Sequence, residues 1–300
     1  MSDRNRMMSM PLRRRFAAAS TVVVSLICAA SAGAQSFEPC GGRSGSLWSW
    51  GWAGNNGQYV TIENDNFGPR IAYMVDQSGN GNDYFNDDPF NENPPTRPGY
   101  QVGFSRSGYS TSLPIVGVNA FSNGTNIYLQ FMEQSNPIAA GAFYLAFAGY
   151  ESRPDGHRVV WGTTSSDRVR LEQVDNQVNI TIAGRELSLT GRNAWSDGPV
   201  LIEVWRDAGG NLRAWVNGSD KTSGSPNATG TFNMSGIGGG IPAGSSAWDD
   251  YAFEYVACDD LPSDSQRAAT REYLRSKWNL FGPTAPPPPS PNPPSNLVAE

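Results

Sequence analysis

Residues 248–280 read WDDYAFEYVACDDLPSDSQRAATREYLRSKWNL, and this stretch decides the fold. Residues 251–256 are aromatic and β-branched enough for a strand, and the cluster of Asp259, Asp260 and Pro262 ends it. A helix then starts. Ser263 with Gln266 forms a capping box, and Ala269, Tyr273, Leu274 and Trp278 recur at the spacing of one apolar helical face. Gly282 and Pro283 are expected to stop it. A lone amphipathic helix at the end of an otherwise strand-like chain must bury its stripe against a sheet, so it is expected to act as a lid.

Upstream, short strand-like runs alternate with turn chemistry. They fall at 58–62, 70–75, 100–104, 127–132, 142–148, 158–163, 169–174, 178–182, 200–206 and 212–216. In the run at 178–182, Val178, Ile180 and Ile182 face one way while Asn179 and Thr181 face the other. Residues 200–206 and 212–216, joined by Asp207-Ala208-Gly209-Gly210-Asn211, read as a hairpin. The pattern is all-β, a two-sheet antiparallel sandwich with one C-terminal helix.

The first residues carry Arg4, Arg6 and Arg13–Arg15, then an apolar run at 16–30, then Ala32-Gly33-Ala34. This is the layout of a signal peptide, residues 1–34, cut between Ala34 and Gln35, and the apolar run is too short for a spanning helix. Exported chemistry follows for residues 35–282, as a periplasmic, cell-surface or secreted domain. Net charge is −6, the lysines are Lys221 and Lys277, and after the leader no basic stripe appears, which argues against a nucleic-acid partner. Of the three cysteines, Cys28 falls in the leader, leaving Cys40 and Cys258. An even number in an exported chain reads as one disulfide, and two separate buried thiols are the alternative. Residues 283–295 read as a proline-rich linker, and 296–300 as the possible start of a fibronectin type III domain, from which the chain is expected to be a fragment of a longer modular protein.

Four stretches carry a family resemblance: VDQSGNGND at 75–83, VLIEVWRDAGGNLRAWVNGS at 200–219, SGIGGG read as a turn at 235–240, and the closing strand–turn–helix ending in YLRSKWNL. Together they resemble the concanavalin A-like lectin/glucanase superfamily, in its laminin G-like jelly-roll branch. The resemblance implies a jelly-roll sandwich over residues 47–280 whose first and last strands lie side by side, within bonding reach for Cys40 and Cys258. Glucanases of the superfamily carry paired acids as E-x-D-x-x-E on one strand, and no such segment occurs here. Glu254 stands without an acidic partner and reads as a solvated strand residue. Lyases of this fold pair a His with a Tyr, whereas the single histidine, His157, stands in the turn-like PDGHRVV.

Two binding readings remain. In DQSGNGNDYFND, oxygens at Asp76, Ser78 and Asn80, a glycine at Gly81 and a carboxylate at Asp87 resemble a calcium loop, with Asp76, Asn80 and Asp87 as candidate ligands. The competing reading is a tight turn in which Asp76 bonds its own backbone. The nine tryptophans include Trp48, Trp50 and Trp52 on one face of a first strand, and Trp161, Trp205 and Trp215 are the candidates for stacking on sugar rings. Core packing is the competing role for each. Asn217-Gly218-Ser219 and Asn123-Gly124-Thr125 match the glycosylation sequon and read as turns. The sequence-level expectation is a non-catalytic, exported module binding a polysaccharide or glycan, with a polysaccharide hydrolase or lyase and a structural or protein-binding surface module as alternatives.

Overall fold

The computed structural model describes residues 39–41, 48–51, 59–65, 68–86, 98–118, 120–122, 127–129, 132–151, 157–162, 166–172, 175–196, 198–237 and 250–281. The expected leader, the linker and residues 296–300 lie outside these, as do Trp52 and Asp87. In chain order the strands are β1 (Trp48–Gly51), β2 (Val60–Asp65), β3 (Gly68–Met74), β4 (Tyr84–Phe85), β5 (Gly99–Arg106), β6 (Tyr109–Val118), β7 (Ala120–Ser122), β8 (Ile127–Leu129), β9 (Met132–Ala140) and β10 (Phe143–Glu151). They continue with β11 (His157–Trp161), β12 (Arg168–Glu172), β13 (Gln177–Ile182), β14 (Arg185–Ser188), β15 (Gly198–Arg206), β16 (Leu212–Val216), β17 (Ser219–Asp220), β18 (Phe232–Ile237) and β19 (Asp250–Cys258). The helix α1 (Asp264–Trp278) follows, and a short 3-10 turn, Pro39–Gly41, precedes β1.

Pairing is antiparallel throughout these ladders and sorts the strands into two layers. One runs β16, β15, β10, β19, with β1 and β6 sharing the far edge of β19 and β5 beyond β6. The other runs β14, β13, β12, β11, β18, β9, β4, β3, β2. A bridge between Arg70 of β3 and Gly99 of β5 joins them. The chain crosses repeatedly between layers, among other places from β1 to β2, β4 to β5, β9 to β10, β10 to β11, β14 to β15 and β18 to β19, which is jelly-roll traffic. Strand alternation does the sorting: Phe143, Leu145 and Phe147 of β10 face Val169, Leu171, Val178 and Ile180 of the other layer, while Tyr144, Ala146 and Ala148 turn outward toward α1.

The helix starts as its sequence dictates. Ser263 N–H donates to Gln266 Oε1 at 2.9 Å, and Gln266 N–H donates to Ser263 Oγ at 3.3 Å, closing the capping box. It ends earlier than Gly282: Asn279 takes the left-handed conformation at φ 50, and Leu280 N–H donates to the Arg275 carbonyl at 2.9 Å. The buried face is Thr270, Leu274 and Trp278, with Tyr273 half-buried and Ala269 exposed. Thr270 tolerates the buried position because its hydroxyl donates to the Gln266 carbonyl at 3.0 Å.

A bulge in β19 fits the sheet to this helix. Ala148 pairs with Glu254 and Gly149 with Ala252, so Phe253 is the extra residue and both Phe253 and Glu254 lie under α1. Phe253 stacks on Trp278 at 5.0 Å and on Tyr109 at 5.5 Å, and Tyr109 O–H donates to the Trp278 carbonyl at 2.7 Å. Gly149 is needed opposite the bulge, since a Cβ there would stand 2.4 Å from the Phe147 ring.

Two carboxylates complete the seam. Glu254, expected to be solvated, is 0 % exposed; it accepts from Trp278 Nε1 at 2.6 Å, Lys277 Nζ at 2.9 Å and the Tyr273 hydroxyl at 2.9 Å. Glu203 of β15 is equally buried and takes Arg271 through both oxygens, at 2.6 and 3.2 Å, with the Tyr144 hydroxyl at 2.9 Å. The sequence pattern did not show either site, because the partners lie 59 and 68 residues away for Glu203 and 19 to 24 away for Glu254.

The structure adds strands that sequence reading did not delimit: the longer β6, β9, β14 and β18, and the short β4, β7 and β17. Polar residues and Pro114 or Pro137 mask the alternation in β6 and β9. β6 tolerates Pro114 because its second edge pairs with β19 only from Val116 onward. Residues 235–237, read as part of a turn, end β18, and His157 opens β11 rather than occupying a turn.

β1 pairs with β19, with Trp48 opposite Cys258, and the disulfide joins Cys40 to Cys258 across a Cα separation of 5.9 Å. Closing a loop at a sequence separation of 218 corresponds to about 5 kcal/mol in the chain-entropy model. Reduction, or the Cys40→Ser/Cys258→Ser variant, is expected to lower the denaturation midpoint by an amount equivalent to about 2–5 kcal/mol, read by urea unfolding with and without reductant. An unchanged midpoint would contradict the pairing.

Burial pushes up the phenols of Tyr109, Tyr144, Tyr255 and Tyr273, with Glu203 adding to the effect at Tyr144 and Glu254 at Tyr273. The folded state therefore keeps protons that the unfolded chain releases around its ordinary value of 10.0, so this stability is whole below that pH and is lost as pH rises above it. In an alkaline titration, phenolate absorbance from these four residues is expected to appear together with loss of near-ultraviolet dichroism. Their ionisation near the ordinary tyrosine value with the fold intact would contradict the burial.

Candidate functional site

Three loops meet around one open depression of about 540 Å³. The turn before β13 brings Asn176, the loop between β14 and β15 brings Asn193, Trp195 and Ser196, and the turn after β16 brings Asn217. Asn176, Asn193 and Asn217 sit at φ 47, 57 and 53, the left-handed region that asparagine enters more readily than most side chains. The loops are fastened to each other by backbone and amide bonds. Asn176 Nδ2 donates to the Trp195 carbonyl at 2.7 Å, Ala194 N–H donates to the Asn176 carbonyl at 2.9 Å, and Leu201 N–H donates to Asn217 Oδ1 at 2.9 Å.

These bonds leave part of each amide unspent. Asn217 keeps its NH2 group and Asn176 its amide oxygen, and Lys221 on the rim makes no ion pair among the described residues. Trp195, 5 % exposed and part of the sandwich core, lines the same depression and gives it a rigid apolar wall. The volume falls within the roughly 300–1,000 Å³ of small-ligand pockets, and the combination of one aromatic wall with unspent amides and hydroxyls suits a hydroxyl-rich ligand.

A second depression, of about 460 Å³, lies beside the β15–β16 hairpin, but its charged and amide side chains are engaged with neighbours. Arg213 pairs with Asp220, and Asn211 is held by Asp207, which accepts its N–H at 2.9 Å and its amide at 2.8 Å. The Asn211 amide, with help from turn N–H groups, holds the Asp207 carboxyl below the usual carboxylate range.

The structure disperses the tryptophans singled out from the sequence. Trp161 is 0 % exposed in the core against Phe147 and Tyr255, so no ligand reaches it. Trp215 is 6 % exposed, with the Arg267 guanidinium 4.0 Å and that of Arg213 4.9 Å from its ring centroid. Trp205 pairs with Arg213 rather than Trp215, which pairs with Glu203, so the two rings are diagonal neighbours; Trp205 alone of the three keeps partial exposure. Trp195 was not singled out, although its setting in RNAWSDG, an isolated aromatic inside a turn-rich run, was the available signal.

The acidic loop has the geometry of a turn. Asp76, 3 % exposed, accepts from Ser78 N–H at 3.0 Å, the Ser78 hydroxyl at 2.6 Å and Asn82 N–H at 3.0 Å. Asn80 is exposed and donates its amide to Ser78 Oγ at 3.1 Å, while Asp87 lies outside the described residues. The nearby second carboxylate is Asp83, which accepts the Asp76 N–H at 2.7 Å and the Tyr73 hydroxyl. The Tyr73 phenol is pushed up to about 12, chiefly by that hydrogen bond. Among the described residues no group of three or more His, Cys, Asp or Glu side chains is gathered to hold a metal ion. No helix among them is long and apolar enough to cross a membrane.

No protein-family model matches the chain, and no curated protein matches it. Among solved structures, the chain is similar to a carbohydrate-binding module of the Ruminococcus gnavus IT-sialidase bound to α2,3-sialyllactose, at 14% identity and TM-score 0.34 over 43% of this chain and 82% of that one. It is also similar to domain 4 of an extracellular arabinanase from Geobacillus stearothermophilus in complex with arabinotriose, at 10% identity and TM-score 0.36 over 76% and 87%. A pentraxin from Limulus polyphemus gives 12% identity and TM-score 0.37 over 51% and 79%. Likeness at this level transfers neither ligand nor activity to this chain.

Proposed function

We propose that residues 35–282 form an exported, non-catalytic carbohydrate-binding or adhesion module of the concanavalin A-like kind, part of a larger modular protein. The observation that carries the reading is the loop-lined depression, where unspent amide and hydroxyl groups of Asn176, Asn217, Ser196 and Ser219 surround the wall made by Trp195. Hydroxyl-rich ligands need both kinds of contact, an apolar ring face and donors and acceptors held in place. The non-catalytic part is supported by the two buried acids, Glu203 and Glu254, which are closed off under α1 and engaged by its side chains. The Cys40–Cys258 disulfide fits an oxidising compartment.

Calcium at Asp76, Asn80 and Asp87 accompanies this proposal. Asp76 would meet the cation through lone pairs left beside the N–H groups it accepts, and binding to the folded state means that millimolar calcium should raise the melting midpoint and chelator should reverse the rise.

A glycan array of the exported protein, with calcium and with chelator, tests both. The expected result is binding to a defined neutral glycan, lost at least tenfold in Ser196→Trp, where the new ring fills the depression from an exposed position, with an unchanged melting midpoint. Binding that survives Ser196→Trp removes the depression from the account. Release of reducing ends from a polysaccharide would replace the module reading with an enzyme.

A further inference from the structure

Strand β12 presents Arg168 and Arg170 on one face, because Val169 and Leu171, which alternate with them, are 0 % exposed in the core. The neighbouring strands set Thr181 and then Glu186 in line with Arg168, and Asn179 and then Ser188 in line with Arg170. Two arginines two residues apart on a strand stand about 6.6 Å apart along it, close enough for one ligand to meet both.

Countercharge on this face is unequally shared. Glu186 pairs with Arg170. Asp167 is committed elsewhere, accepting the Ala183 N–H at 3.0 Å and the Asn233 amide at 3.1 Å. Arg168 makes no hydrogen bond or ion pair among the described residues, and its Nε is buried without a partner. Burial, reinforced by the like charge of Arg170, lowers its pKa, while Glu186 opposes the shift. A partly buried guanidinium with unspent donors and a second arginine beside it costs stability unless an acceptor arrives.

We propose that Arg168 is the anion-recognition point of a second ligand site on this sheet face, one that takes a saccharide bearing a carboxylate or sulfate group. The planar fork of arginine matches both anions through paired N–H bonds. The exposed Ser188 hydroxyl, two strands across in line with Arg170, is a partner for a sugar hydroxyl, whereas a phosphate polymer would call for a longer run of cations. This goes beyond the loop depression: Arg168 pairs with Thr181 at one end of the β12–β13 hairpin, and Asn176 lies in the turn at the other end.

Affinity electrophoresis through gels containing alginate (carboxylate), carrageenan (sulfate) or laminarin (neutral) tests the site. The chain carries a net charge of −6, so retardation by an acidic polymer is not bulk attraction. The exported protein is expected to be retarded by alginate or carrageenan, and the polymer that acts identifies the anion. Arg168→Gln is expected to lose at least tenfold in that affinity, and Arg168→Lys to lose less, keeping charge but not the fork. Ser196→Trp should bind the acidic polymer as the unmodified protein does, which separates this site from the loop depression whatever laminarin shows. Absence of retardation by both acidic polymers, or undiminished binding by Arg168→Gln, would overturn the proposal.

Discussion

Two carboxylates buried in the face of one sheet, Glu203 and Glu254, depend on a single helix for their countercharge. A buried ionised carboxylate costs several kcal/mol unless paired, and truncating one partner of such a pair typically costs about 3–5 kcal/mol. Arg271 and Lys277, six residues apart on α1, meet the two acids on different strands, and Tyr144, Tyr273 and Trp278 donate to the remaining acceptor positions. The sheet therefore requires the helix electrostatically as well as to cover Phe253, Val256 and Leu201. Burial lowers the Lys277 pKa, and the Glu254 carboxylate beside it opposes that shift without reversing it.

This seam divides the domain. The outward face of the helix-covered layer is spent on stability: aromatic rings, the disulfide edge and the two ion pairs leave little polar capacity there. The loops beside Trp195 and the Arg168 guanidinium on β12 have the opposite character, with polar groups unspent among the described residues. Ligand binding thus falls where the fold does not need the polar groups for itself.

Local chemistry was legible in the sequence and tertiary pairing was not. The capping box at Ser263 and Gln266, the Asp207–Asn211 hairpin turn and the all-β pattern depend on neighbours in the chain, and all appear in the structure. The fate of Glu254 depended on residues 273–278 folding back over β19, so its burial had no local sign. Trp161 and Trp195 are both buried tryptophans by exposure; only the convergence of three loops on Trp195 distinguishes them. The arginine pair of β12 was visible as R-V-R-L-E alternation, but the commitment of Glu186 to Arg170 is what isolates Arg168.

The most direct measurement of the electrostatic clasp is a double-mutant cycle on Glu254→Gln and Lys277→Met, read by urea unfolding. The account predicts that each single substitution destabilises and that the pair is less harmful than the sum, with a coupling energy above about 1 kcal/mol. Additivity to within about 0.5 kcal/mol would contradict it and would leave α1 as an apolar lid alone.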